Sequence, residues 1–241
     1  MRLPKFEYVE PKSLDEASAI LAADSAARLL AGGTDLLVNM KHRVDQPAKL
    51  VNLKRLPGLD YVRMENGETR IGALTSLKKL SANAQVAGRL PALAQAAARV
   101  GAYHHQTMGT VGGNLCQQTR CKHYNQSRWW RSAKPPCLKT GGEVCHVVDN
   151  RETCYSTYCG DLAPALLVLG AEVVLHGAAG VRRVPLGDIF SGQGLAPFRL
   201  ARGEILAEVI VPGRSHGEDS RYLKFARRGG LDFPIVGAAF W

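Results

Sequence analysis

The chain has 241 residues, of which 46% are hydrophobic and 22% charged, so it can bury a sizeable core and extended disorder is excluded. No apolar run approaches the roughly 18–20 residues of a membrane-spanning helix, and the first residues lack the apolar stretch of a signal peptide. Lys and Arg number 31 against 21 Asp and Glu, and this net charge of +10 favours an acidic partner. Nucleic acid, an acidic protein and a phosphorylated cofactor fit equally well, because the charge is spread along the chain.

Short strands and helices are predicted to alternate along most of the chain. Ser13 and Glu16 have the spacing of a capping box, which predicts a helix through Ala23. Asn66-Gly67 separates two strand-like runs and predicts a hairpin over residues 61–71. Further strands are predicted over 28–30, 49–53, 172–176, 182–184, 205–211 and 222–225, and further helices from Thr34 or Asp35 through Met40, over 90–100 and over 161–169. This mixture indicates an α+β fold.

Two glycine-rich sequences are the first candidates for a binding site. Residues 31–36 read Ala-Gly-Gly-Thr-Asp-Leu and follow a predicted strand, and residues 110–114 read Thr-Val-Gly-Gly-Asn. Exposed amides at a glycine turn that opens a helix form an anion site suited to pyrophosphate. Neither sequence has the GxxxxGK[ST] or GxGxxG pattern, and an ordinary turn explains each of them alone. Together they favour a dinucleotide with two phosphates.

The cysteines form the second candidate site. All six lie in one stretch, at Cys116, Cys121, Cys137, Cys145, Cys154 and Cys159. Without a secretory signal we expect a cytoplasmic, reducing location, where such a cluster is more typical of metal binding than of disulfides. The stretch lacks hydrophobic periodicity, and a bound metal centre would order so long a loop. The spacing leaves zinc and iron–sulfur open, with His123 and His146 as less favoured ligands.

Several sequences occur together in a characteristic order. They are Ala31–Leu36, Ile71–Thr75, Thr110–Asn114, Asp161–Leu166, Gly203–Leu206 and Lys224 within Tyr-Leu-Lys-Phe-Ala-Arg-Arg. In this order the chain, from about Tyr8 to Trp241, resembles the FAD-binding subunit of the xanthine oxidase family of molybdenum hydroxylases. The resemblance implies a two-subdomain FAD-binding fold with subdomains at 1–56 and 57–218. Residues 219–241 would begin a truncated C-terminal domain, because members of the family continue further.

The resemblance also implies a set of FAD-binding residues. Those expected around the pyrophosphate are Leu29, Leu30, Ala31, Gly32, Gly33, Thr34, Asp35 and Leu36, and those of a second phosphate loop are Thr110, Gly112, Gly113 and Asn114. Gly101 would lie along the adenosine or flavin path, and Asp161 would bind a polar part of FAD. Leu206 and Lys224 would approach the isoalloxazine ring, where a cation favours the anionic reduced flavin. No catalytic residue for substrate chemistry is predicted in this chain.

The cysteine-rich stretch indicates a smaller group within this family. Residues 117–157 resemble an insertion found in 4-hydroxybenzoyl-CoA reductases, whose flavin subunit holds an additional [4Fe–4S] cluster. This implies ligation by Cys121, Cys137, Cys145 and Cys154, with Cys116 and Cys159 in the common framework. It also implies that ferredoxin delivers electrons, which pass through the cluster and FAD to a [2Fe–2S] subunit and a molybdopterin-binding subunit. The latter would remove the phenolic hydroxyl group of 4-hydroxybenzoyl-CoA.

Other interpretations stay open. A related molybdenum hydroxylase or dehydrogenase would act on another substrate with NAD or a quinone. A zinc-stapled basic module that binds nucleic acid would explain the cysteines and the charge, but not the two glycine-rich sequences. Between residues 117 and 159, seven Lys and Arg face three acidic residues, which favours an acidic ferredoxin, although a solvated loop explains the same charge. Neither nucleic acid nor a membrane is a partner in the preferred interpretation.

Overall fold

A computed structural model describes residues 2–148, 150–213 and 219–241. Its helices are α1 (Leu14–Ala23), α2 (Leu36–Lys41), α3 (Leu77–Ala82), α4 (Ala84–Arg89), α5 (Pro91–Ala98), α6 (Tyr103–Met108), α7 (Val111–Leu115), α8 (Arg128–Ser132) and α9 (Leu162–Val168). Its strands are β1 (Glu7–Val9), β2 (Ala27–Leu30), β3 (Lys49–Asn52), β4 (Val62–Glu65), β5 (Glu68–Gly72), β6 (Glu172–Gly177), β7 (Gly180–Pro185), β8 (Ile205–Val211), β9 (Arg221–Phe225) and β10 (Val236–Phe240). None of the described helices combines the length and apolar character needed to cross a membrane.

The strands form three sheets. The first is parallel, in the order β1-β3-β2, and the second is antiparallel, in the order β4-β5-β8-β6-β7. The third is the antiparallel pair of β9 and β10. The predicted mixture of helices and sheets is therefore confirmed. The domain boundaries at residues 56 and 218 stay a prediction.

Local sequence chemistry explains two of the predicted elements. At the start of α1, the Ser13 hydroxyl accepts the Glu16 N–H at 3.1 Å, which satisfies one of the free amides of the helix. The Glu16 carboxylate accepts the N–H of Lys12 at 2.7 Å, one residue earlier than a strict capping box requires. Asn66 and Gly67 both have positive φ, 52° and 80°, between β4 and β5, as the predicted two-residue hairpin turn demands.

Two apolar clusters meet at strand β8. The larger packs the helices α3, α5 and α9 against the second sheet, around residues such as Leu80, Leu93 and Leu166. The smaller packs α1 and the first sheet against Ile205 and Ala207 of β8. All seven positions of β8 are buried, because the strand has a packed neighbour on both faces. The edge where the two clusters meet leaves room for the site described below.

Residues 117–157 contain only short elements, as their lack of hydrophobic periodicity predicts. In the described part of this segment, 117–148 and 150–157, a single 3₁₀ turn at Leu138–Thr140 accompanies α8, and the remaining pairing is by isolated bridges. The segment lies against α2 and the loop that follows it. Arg131 donates to the carbonyl of Arg43 at 2.7 Å, and Asn125 donates to the Asn39 side chain at 3.4 Å. We call residues 117–157 the cysteine segment.

Candidate functional site

A cavity of about 610 Å³ lies between the first sheet, α7 and β8. This volume is within the range of about 300–1,000 Å³ that small-molecule and cofactor sites occupy. Both glycine-rich sequences line it, and so do residues from the start of the cysteine segment and from the loop before β10. We call it the glycine-lined cavity.

Most of the predicted FAD-binding residues meet in this cavity. Those in its wall are Leu29, Ala31, Gly32, Gly33, Thr34, Asp35, Leu36, Gly101, Thr110, Gly112, Gly113, Asn114, Asp161 and Leu206. Leu30 and Lys224 are not in the wall. Side chains alternate between the two faces of a strand, and Leu30 ends β2 with its side chain beside Gly33 rather than in the cavity.

The first glycine-rich sequence presents unused backbone donors to the cavity. Gly33 has a φ of 73°, which turns the chain from β2 into α2. A Cβ on Gly32 would lie 2.3 Å from the Met108 carbonyl oxygen, so only glycine fits there. Among the described residues, the N–H groups of positions 32–35 donate no hydrogen bond to the protein. They are therefore available to an anion.

The second glycine-rich sequence is helical rather than a loop, which corrects the predicted conformation. It forms α7, and its N-cap Thr110 accepts the N–H of Gly113 at 3.1 Å. The N–H groups of Val111 and Gly112 donate to the carbonyls of Thr75 and Ala73 at 3.0 and 2.9 Å. These donors are therefore occupied within the protein. The structure shows the sequence shaping the wall, and its role as a second phosphate loop stays a prediction.

Asp161 and Lys224 form a buried ion pair at the edge of the cavity. The Lys224 Nζ lies 3.0 Å from a carboxylate oxygen of Asp161, and the two side chains are 5% and 4% exposed. The Tyr222 hydroxyl donates to the same carboxylate at 2.8 Å, and Lys224 also donates to the carbonyls of Arg99 and Asp232. Burial raises the pKa of Asp161, while Lys224 and Tyr222 oppose that rise. Lys224 therefore lies behind the wall, bound to the wall residues Asp161 and Asp232, and its approach to the isoalloxazine ring stays a prediction.

The cavity also has polar wall residues that were not predicted. Gln117 and Arg120 line it, and the Gln117 Nε2 and Arg120 Nε atoms are buried with no hydrogen-bond partner among the described residues. Such unpaired donors are costly unless a ligand accepts from them. Their position in a cysteine-rich stretch gave no signal for this role, because it depends on how the segment packs. Free donors of this kind fit a polar, anionic ligand such as a dinucleotide.

Asp35 connects the first glycine-rich sequence to the cysteine segment. It occupies the N-cap position of α2 but makes no cap hydrogen bond there. Its carboxylate instead pairs with the Arg120 guanidinium and accepts the N–H of Gln118 at 3.3 Å. Burial lowers the pKa of Arg120, yet an arginine side chain stays charged in a protein.

The four predicted cluster ligands line one small cavity. Cys121, Cys137, Cys145 and Cys154 all belong to its wall, together with His123, Tyr124, Leu138, Lys139, His146, Val147 and Ser156. We call it the thiol cavity. In the described part of the chain, no group of three or more His, Cys, Asp or Glu side chains is arranged to hold a single metal ion. His123 Nδ1 is buried there without a hydrogen-bond partner.

Each sulfur of the thiol cavity has a nearby donor or hydroxyl group. The His123 N–H donates to Cys121 at 3.4 Å, and the Thr140 hydroxyl donates to Cys137 at 3.6 Å. The Cys154 sulfur lies 3.3 Å from the Ser156 hydroxyl. Burial acts to raise the pKa of Cys145, but backbone N–H groups, from Tyr155, Val148 and Val147, outweigh it and the net pKa is lowered. These backbone hydrogen bonds favour the thiolate form of Cys145.

Cys116 and Cys159 lie in the glycine-lined cavity, away from the other four cysteines. Burial of the thiol raises the pKa of the partly exposed residue Cys116 to about 12. The Cys116 thiol is therefore protonated at neutral pH, unlike a typical metal ligand. The six cysteines therefore divide into four and two, and the role of the four as cluster ligands stays a prediction.

Comparison with known proteins identifies the class to which this fold and cavity belong. Residues 4–214 match the family described as the FAD binding domain in molybdopterin dehydrogenase. The chain is 32% identical to the carbon monoxide dehydrogenase medium chain of Hydrogenophaga pseudoflava over 98% of its own length and 68% of that protein. It is 28% identical to the nicotinate dehydrogenase FAD-subunit of Eubacterium barkeri, over 96% of its own length and 67% of that subunit.

A solved structure shows the same fold. Carbon monoxide dehydrogenase from Hydrogenophaga pseudoflava, in a form lacking the Mo-pyranopterin moiety, superposes with a TM-score of 0.77 at 31% identity. The match covers 99% of this chain and 69% of that one. The chain therefore belongs to the family of FAD-binding domains of molybdopterin dehydrogenases, and FAD is the cofactor that this family membership supports. It spans about two thirds of the length of the relatives it matches.

Proposed function

We propose that this chain is the electron-transfer subunit of a molybdenum-containing reductase, with FAD in the glycine-lined cavity and a [4Fe–4S] cluster in the thiol cavity. Electrons from ferredoxin would pass through the cluster and FAD to a [2Fe–2S] subunit and a molybdopterin-binding subunit. That last subunit would dehydroxylate 4-hydroxybenzoyl-CoA. The proposed location is the cytoplasm.

The convergence of Cys121, Cys137, Cys145 and Cys154 on one cavity supports the cluster most directly. In a [4Fe–4S] cluster each thiolate binds a different iron, so the sulfurs surround the whole cluster rather than one ion. Four cysteines that bind such a cluster can therefore share one cavity although they are not arranged to hold a single metal ion. Hydrogen bonds to the sulfurs and low solvent exposure are the features by which proteins tune the potential of such clusters.

The glycine-lined cavity suits FAD through its donors. The free N–H groups of residues 32–35, with Arg120 and Gln117, would hold the pyrophosphate and polar parts of the cofactor. When bound, FAD supplies one- and two-electron transfer. The chain contributes the walls that exclude water and the Asp161–Lys224 pair that places fixed charges at the edge of the cavity.

Anaerobic purification of the chain, followed by flavin and metal analysis, tests the proposal. We expect about one FAD and four irons per chain, with flavin absorption bands and a broad iron–sulfur shoulder. A colourless preparation that contains zinc contradicts it. The matched control is Cys116→Ser. This variant removes a cysteine that lies outside the thiol cavity, so it should keep its iron.

A flavin subunit of a related dehydrogenase is the second candidate. It is favoured by the names of the relatives, which include nicotinate, carbon monoxide and xanthine dehydrogenases. The direction of electron flow separates the two candidates. In the assembled complex, oxidation of the reduced flavin by NAD or a quinone would support the dehydrogenase, whereas reduction of the flavin by reduced ferredoxin would support the reductase. The nucleic-acid module explains neither the glycine-lined cavity nor the family match.

A further inference from the structure

Arg120 lies between the two cavities. Its side chain, 17% exposed, lines the glycine-lined cavity, while the next residue, Cys121, lines the thiol cavity. Its guanidinium pairs with Asp35 and reaches Asn39 at 3.4 Å, and the Phe233 ring lies 4.8 Å from the guanidinium carbon. These contacts hold the guanidinium in the wall of the cavity.

The Nε–H of Arg120 still lacks an acceptor. Asp35 is the only described carboxylate in contact with this guanidinium, and it also accepts from Gln118. Gln117 Nε2, three residues earlier, is buried in the same wall and also has no acceptor. Arg120 and Gln117 thus bring a guanidinium and an amide to one cavity wall, and both groups suit the oxygen acceptors of a pyrophosphate.

The backbone of Arg120 links this donor to the closure of the cysteine segment. Its N–H donates to the Thr157 carbonyl at 2.7 Å, and the Thr157 N–H donates back at 2.9 Å. Cys121 directly follows one of these residues, and Cys154 lies three positions before the other. Anything that binds these two thiols therefore also fixes the backbone from which the Arg120 side chain projects.

We propose that Arg120 is an FAD-binding residue supplied by the cysteine segment, and that it couples FAD affinity to the state of the thiol cavity. The inference rests on the proposed binding of FAD, but not on the identity of the metal. By linkage, any group that orders the thiol cavity tightens FAD binding, and FAD in turn stabilises that group by the same factor.

Titration of the full chain with FAD, followed by flavin fluorescence, tests the first part. Arg120→Met should weaken FAD binding by about tenfold or more, because a hydrogen bond between charged groups is lost. Arg120→Lys keeps a positive charge beside Asp35 but lacks the Nε donor, so it should recover only part of the affinity. The matched control is Arg128→Met, which removes an exposed arginine of the same segment outside the cavity.

A double-mutant cycle tests the coupling. Cys121→Ser with Cys154→Ser should weaken FAD binding severalfold in the wild-type background and have little further effect with Arg120→Met. Circular dichroism and thermal unfolding of each variant separate loss of fold from loss of binding. Equal affinities for Arg120→Met and Arg128→Met would overturn the role of Arg120, and additive effects in the cycle would overturn the coupling. A wild-type chain that binds no FAD would instead refute the proposed function.

Discussion

The glycine-lined cavity and the thiol cavity are built in opposite ways. The first is framed by regular elements and two apolar clusters, and its donors are mostly backbone amides at the end of a strand. The second has almost no regular structure, and its wall consists of cysteine side chains and their hydrogen-bond partners. A packed core can therefore preform a cofactor site. The thiol cavity, in contrast, would depend on a bound group for its stability.

The strongest test of this contrast removes one thiol. Cys145→Ser replaces a buried sulfur that accepts backbone hydrogen bonds, so we expect loss of essentially all bound iron, while the glycine-lined cavity still binds FAD, severalfold more weakly. Iron analysis and flavin absorption on the same sample measure both. Retention of the full iron content would contradict the assignment of Cys145, and complete loss of FAD binding would contradict a site preformed by the packed core.

The reciprocal test alters the glycine-lined cavity. Gly32→Ala would place a Cβ 2.3 Å from the Met108 carbonyl, so the loop must move and FAD binding should be lost, while iron is largely kept. Gly88→Ala is the matched control, because a Cβ at that helical position meets nothing within 4 Å. It should leave FAD binding unchanged and stabilise the fold by about 0.5–1 kcal/mol. Equal FAD affinities in the two variants would refute the role of Gly32.

The third test concerns the ion pair at the edge of the glycine-lined cavity. Lys224→Met leaves the Asp161 carboxylate buried without its cation, and we expect a loss of about 3 kcal/mol in the free energy of unfolding at neutral pH. Because burial already raises the folded-state pKa of Asp161, this loss should shrink as pH falls and the carboxyl group becomes protonated. Chemical denaturation at several pH values measures it. A loss that grows on acidification would contradict this account.

The smallest expected effect concerns Cys116. Its pKa of about 12 leaves little thiolate at neutral pH, so in the metal-free, folded chain alkylation by iodoacetamide should be about tenfold slower than at Cys145, whose pKa is lowered. The rate should rise as pH rises toward 12. Peptide mass spectrometry after timed labelling gives both rates, and faster labelling of Cys116 would place it in a different environment from the one described.

The glycine-lined cavity was largely predictable because its residues follow local rules. A strand, a glycine turn and a helix start are readable over residues 28–40, and the glycines of residues 110–114 mark the second sequence. The α7 helix was missed because two glycines disfavour a helix, and here the Thr110 cap and packing on Ala73 override that preference. Helices α3 and α4 were also missed, although their caps, Ser76 and Asn83, are visible in the sequence.

The features of the site that the sequence did not predict depend on tertiary contacts. The pairing of Lys224 with Asp161 was not predicted, because it depends on the approach of β9 to α9. Gln117 and Arg120 were missed because their role follows from the docking of the cysteine segment on α2, which no local pattern encodes. The grouping of four cysteines apart from the other two came from the resemblance, since their spacing contains no close pair.

The two-way hydrogen bond between Arg120 and Thr157 has a consequence for the history of this fold. Residues 121–156 begin and end at two neighbouring points of the fold. They therefore form a closed loop that contains none of the strands or helices of the three sheets and their packed layers. Chain length between two fixed, neighbouring points carries only a slowly growing entropic cost. A descendant or an engineered relative can therefore acquire or discard this segment as one module, and with it the thiol cavity, without redesigning the strands and helices around the glycine-lined cavity.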